Sequence, residues 1–155
     1  MKILLVACWT LFLVGCGITS GPLGDLPSVP NKEIASKITV VRISSFAGAL
    51  NGFTVALDGK DIFGIGSGEY AEFFVPKGEH VITVKCFGGW TPTWKEDSLE
   101  FVAKPSEDNF FVIFANFSPN FNPNLKCAGI GMSNETEIKI YIESSKRIDL
   151  EKPSR

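Results

Sequence analysis

Histidine is almost missing from this 155-residue chain, with His80 the only one. That excludes a metal site built from several imidazoles and leaves any Ser-His or Cys-His chemistry resting on one side chain. Positive charge is also short. Fifteen Lys and Arg stand against seventeen Asp and Glu, for a formal net charge of -2 with no basic run. The chain therefore has no field to hold a polyanion, which excludes nucleic acid as a partner. Glycine-rich catalytic loops are lacking too. "GIGSGEY" (64–70) surrounds Ser67 without the glycines of a nucleophile elbow and lacks the third glycine of a dinucleotide loop. It reads as a hairpin turn. Asp58, Asp61, Glu96, Asp97, Glu107 and Asp108 fall in expected turns without the spacing of a calcium loop, where charge keeps loops solvated. These absences leave no catalytic residue, metal site or cofactor, and the expectation is a non-enzymatic protein.

What the sequence has is apolar and turn-forming. Hydrophobic residues make up 45% and aromatics 12%, with 15 Gly, 9 Pro and 13 Phe, enough for one core built from short strands and tight turns. The most apolar stretch opens the chain. Lys2 precedes a run over residues 3–14 broken only by Thr10, the layout of an export signal. Extended to Ile18 it would be roughly 24 Å long as a helix at ~1.5 Å per residue, short of a hydrocarbon layer of about 30 Å, and no cationic stop follows.

Within this segment Leu13-Val14-Gly15-Cys16 resembles the lipobox of bacterial lipoproteins. The resemblance implies that the Cys16 thiol accepts a diacylglycerol and that cleavage removes residues 1–15. Leu5-Val6-Ala7-Cys8 fits the same pattern but leaves only about five apolar residues ahead of it, below the ~7 to 15 of a working signal core. Cys8 is thus expected to leave with the signal. Gly17, rather than Asp, follows Cys16, and by the sorting habit of Gram-negative lipoproteins this implies an outer-membrane anchor with the domain in the periplasm. Each buried methylene contributes ~0.8 kcal/mol, so two or three acyl chains hold permanently.

Residues 17–33, "GITSGPLGDLPSVPNKE", lack hydrophobic periodicity. With Cys16 they read as a flexible tether over 16–33, reaching roughly 20 to 24 Å. From residue 34 to 155 the pattern turns to period two. Strands are expected near 37–44, 53–59, 70–75, 80–87, 99–104, 109–117 and 137–144. "FFVIFANF" (110–117) is apolar on both faces, as a central strand covered on each side would be. About seven or eight mostly antiparallel strands predict an all-β domain, a small β-sandwich. Asp58-Gly59 and Pro76-Lys77-Gly78-Glu79-His80, within residues 53–103, are similar to the turn pattern of PEGA-type domains; the resemblance implies the same small β fold.

Cys86 shares a strand face with Ile82 and Val84 and should point inward. In an oxidising compartment Cys86 and Cys127 either form a bridge closing about 40 residues or remain two small buried hydrophobes. His80, at a turn-to-strand junction, is expected to be structural. Trp90 and Trp94 flank Thr91-Pro92-Thr93, and Phe117 and Phe121 occupy a second turn-rich loop. Such aromatics either make a contact platform or fold back as a lid over the sandwich. The whole chain is expected to be a lipid-anchored binding or scaffolding module of the cell envelope, joined to the membrane through Cys16. Its partner would be an envelope protein or peptidoglycan, met through the four aromatics. A second expectation comes from Ser67-Gly68-Glu69-Tyr70 and Trp94-Lys95, which resemble stretches of the lipoprotein lysozyme inhibitors and imply inhibition of a periplasmic lysozyme.

Overall fold

Side chains that point alternately to opposite faces build two five-stranded sheets that face each other across a common core. A computed structural model describes residues 20–45, 52–87, 96–116 and 126–151. In chain order these form β1 (Gly21–Pro22), β2 (Ser36–Arg42), β3 (Gly52–Leu57), β4 (Lys60–Ile65), β5 (Glu69–Val75), β6 (Gly78–Phe87), β7 (Asp97–Ala103), β8 (Asp108–Ala115), β9 (Ala128–Ser133), α1 (Glu135–Glu143) and β10 (Lys146–Arg147). One sheet runs β1-β4-β3-β6-β7 and is antiparallel; the other runs β10-β5-β2-β8-β9. In the second, β2 pairs parallel to β8 and β5 parallel to β10. The protein is an all-β sandwich.

Period two supplies the inward faces. Ile38 and Val40 of β2, Phe53 and Val55 of β3, Ile82 and Val84 of β6 and Phe111 and Ile113 of β8 are all buried in one cluster. Asp58 and Gly59 join β3 to β4 with φ of 49° and 79°, the positive pair that a two-residue hairpin turn requires. Gly66 to Gly68 do not make the hairpin expected from the sequence. They carry the chain from β4 in one sheet to β5 in the other. The Glu69 carboxylate accepts the Gly66 amide at 2.7 Å, and the Gly68 amide reaches the Arg42 carbonyl, so the arch is tied to the end of β2.

The strand expected at 137–144 is the helix α1. Ile138, Tyr141 and Ile142 satisfy a 3.6-residue period as well as Ile138, Ile140 and Ile142 satisfy period two, and the capping residues decide between them. Asn134 accepts the Glu137 amide on its side chain at 2.9 Å. Glu137 in turn accepts the Ser133 hydroxyl, and Lys139 reaches back one turn to Glu135. These are the marks of a helix start. Ile138 is fully buried while Ile140 is 65% exposed. α1 packs on β2 and β8; Phe111 and Ile113 of β8 are buried in the core, while Phe114 on its other face is 44% exposed.

The expected tether also ends early. Gly21 and Pro22 pair with Gly64 and Phe63, the Leu23 and Gly24 amides reach the Ile62 carbonyl, and Leu26 packs against the core. Residues from Ser20 onward are docked on the body. Cys16 lies outside the described residues.

Candidate functional site

Strand register brings the roots of three loops to one end of the sandwich. β6 leaves at Phe87 and β7 returns at Asp97; β8 leaves at Ala115 and the chain returns at Lys126. Gly52, at the start of β3, pairs with Phe87. Trp90, Trp94, Phe117 and Phe121 belong to these connections and lie outside the described residues, but their roots are clasped together. Cys86 and Cys127 are joined in a disulfide with a Cα–Cα distance of 6.2 Å. Of the two sequence alternatives for these cysteines, the bridge is the one formed. Beside it Lys126 pairs with Asp97, whose second oxygen accepts the Ile130 amide at 3.0 Å, and the Asn116 amide reaches the Cys127 carbonyl at 2.9 Å. β7 and β9 are the outer strands of their sheets on this side, so the same contacts close the sandwich.

Arg42 lies under this end. It ends the inward series Ile38, Val40, Arg42 and is only 1% exposed. Its guanidinium donates to the Ile65 carbonyl at 2.9 Å and stacks 3.8 Å from the Phe53 ring centroid. Burial lowers its pKa to about 10, and the nearby Glu69 charge partly offsets that, so it stays protonated at neutral pH. Glu69 also accepts the Ser20 hydroxyl at 3.1 Å. The first described residue of the chain is therefore held at the same end as the loop roots.

At the opposite end, His80 is committed on both nitrogens. Nδ1 lies 2.7 Å from the Asp58 carboxylate and Nε2 lies 2.9 Å from the Pro76 carbonyl. The ring also packs on Phe101. No nitrogen remains to serve a nucleophile, which agrees with the structural role expected for it. Among the described residues no three His, Cys, Asp or Glu converge as a metal site would require.

Asp97 is not the solvated turn carboxylate that the sequence suggested, whereas Asp58 stays half exposed at its turn, and both are tied by hydrogen bonds. Burial alone would raise both. For Asp58 it is outweighed by hydrogen bonds from the Val81 amide and His80. For Asp97 it is outweighed by Lys126 and the Ile130 amide. Both are held below the ordinary carboxylate range. Their unfolded counterparts bind protons more tightly, so this contribution is complete above the unfolded value near pH ~3.9 and is lost as pH falls through the native one. Urea unfolding at pH 7 and pH 3 should show a smaller loss on acidification for Asp97→Asn than for the unaltered chain; an equal loss would remove Asp97 from the acid response.

A groove of about 710 Å³ lies along the flank of the second sheet. Leu26 and Val29 from the first described segment, Glu72, Phe73 and Phe74 of β5, and Ile148 and Leu150 after β10 line it. Arg147 reaches Glu72 at 2.9 Å, and Lys32 lies 5.5 Å from the Phe74 ring centroid. Sequence reading missed this feature because it unites segments from both ends of the described chain. Arg42 was legible in principle, since its parity with Ile38 and Val40 points it inward. Ser67 and Glu69, from the stretch resembling lysozyme inhibitors, are engaged internally with Ser45 and with Gly66 and Ser20.

No family model matches the chain, and no curated protein matches it. A solved structure, the NMR structure of a protein from Eubacterium rectale, is similar to it with a TM-score of 0.41 and 12% identity, covering 70% of this chain and 98% of that one. A likeness of that size carries no argument about fold or activity.

Proposed function

We propose that the protein is a non-enzymatic, lipid-anchored binding module of the cell envelope, acylated at Cys16, facing the periplasm from the outer membrane. Its contacts are Trp90, Trp94, Phe117 and Phe121. The observation that supports this most is the convergence of the roots of both aromatic loops at the end where Ser20 is docked. Four peptide steps separate Cys16 from Ser20, at most roughly 14 Å at ~3.5 Å per residue. An anchor on Cys16 would therefore hold that end close to the bilayer. Indole rings suit a boundary that is apolar on one side and wet on the other. The short reach favours an envelope protein at the membrane surface over peptidoglycan.

The disulfide and the Asp97 contacts support the same reading, because they limit the relative motion of the loop roots and so reduce the ordering cost of binding. Crosslinking in intact cells followed by mass spectrometry tests it. The Trp90→Ala, Trp94→Ala double variant should lose at least tenfold in crosslinks to its envelope neighbour while keeping its thermal midpoint within about 2 °C, as expected of contact residues and not of a lid over the sandwich. An undiminished crosslink pattern would reject these loops as the contact. Crosslinks chiefly to peptidoglycan would reject the membrane-side partner.

A further inference from the structure

We infer that the groove beside β5 takes up an extended, uncharged peptide segment of a partner protein, by strand addition to the unpaired edge of β5. In an antiparallel pair, successive residues direct their backbone groups to alternate neighbours. Gly68 and Tyr70 turn their carbonyls away from β2, accepting the Lys146 and Ile148 amides at 2.9 and 2.8 Å. β10 pairs only with Glu69 and Tyr70. The same parity turns the amide and carbonyl of Glu72 and of Phe74 to that side, where no described strand meets them. Glu72, Phe73 and Phe74 all line the groove. Consecutive strand residues point to opposite faces, so a groove touching all three follows the strand edge.

An open edge invites pairing with any other edge unless it is shielded. Here Leu26 and Leu150, both packed against the core, line the groove beside it together with the chain's own Ile148 and Asp149. The charges are matched within the groove. Lys32, Lys37 and Arg147 face Glu72, Asp149 and Glu151; Glu72 is held by both Lys37 and Arg147, and Lys32 pairs with Glu151. The electrostatic complement of such a surface is a segment without net charge. Its backbone would continue the pairing where β10 stops, and alternate apolar side chains would meet Phe74 and Leu26. This site lies toward the end of the sheet away from the aromatic loops, and it stands whether or not the chain carries lipid.

The test pans the full chain in detergent against a phage-displayed library of random decapeptides, then titrates synthetic copies of the selected sequences. Uncharged peptides with alternating apolar residues should be enriched and bind saturably. Phe74→Pro removes a groove-facing amide without removing a hydrogen bond to β2, and it should weaken binding at least tenfold. N-methylation of alternate peptide residues should do the same against the unaltered protein, which keeps the result independent of how the variant folds. Failure to enrich any peptide would overturn the inference, as would peptides indifferent to both changes. A self-association of the chain that Phe74→Pro abolishes would assign the edge to a second copy and would also overturn it.

Discussion

Replacing Cys86 and Cys127 together by alanine should lower the unfolding free energy by roughly 4 kcal/mol. The bridge spans 41 residues, and cross-linking a loop of that length removes about that much conformational freedom, expressed as free energy, from the unfolded chain. Against a total stability of ~5 to 15 kcal/mol for a single domain, this is a large fraction. The thermal midpoint should fall on the order of 10 °C. The bridge also joins β6 of one sheet to the start of β9 of the other, so the loss should concentrate at the aromatic-loop end. Amide exchange at Asn116 and Ile130 should accelerate more than at Val40 or Phe111. A midpoint shift under about 2 °C would mean that Asp97 and Lys126 hold this end without the disulfide.

Arg42→Ala should cost about 3 to 5 kcal/mol, the range for removing one member of a buried charged set. The substitution strips the Ile65 carbonyl of its donor, leaves the Phe53 face bare and takes the cation away from Glu69. Ile65 and Phe53 are buried, where water reaches poorly. Arg42→Lys keeps the charge but not the planar fork, and should fall between Ala and the unaltered chain. Denaturant unfolding of the three proteins decides the matter. An alanine variant within 1 kcal/mol of the parent would show that water replaces the guanidinium without penalty.

The sheets were legible because their chemistry is local. Phe53, Val55 and Leu57, or Ile82, Val84 and Cys86, declare an inward face within a few residues, and Asp58-Gly59 declares its own turn. The helix α1 was hidden by a coincidence of periods. Its isoleucines at 138, 140 and 142 fit a strand, while the deciding signal, Asn134 followed by Glu137, lies in the cap and not in the apolar pattern. The Gly66 to Gly68 arch was misread for a related reason. Its glycines specify a reversal, but only the Glu69 and Arg42 contacts, one of them distant in sequence, select a change of sheet over a hairpin. Docking of residues 20–26 was invisible because glycine and proline composition signals a lack of intrinsic structure, and an edge strand on β4 supplies it from outside. For the site, sequence named the aromatic residues and the two cysteines. That the disulfide gathers both loop roots beside Ser20 depends on the register of β3, β6 and β8, which no local pattern contains.

The most direct test of a membrane-held contact module is the chemistry of its first residue. Intact-mass and N-terminal peptide spectrometry on protein purified from the membrane fraction should find a chain beginning at Cys16 with a diacylglyceryl group on its sulfur, and Cys16→Ser should release the protein into the soluble fraction. A mature chain that begins at another residue, or an unmodified Cys16 thiol in membrane-bound protein, would contradict the account.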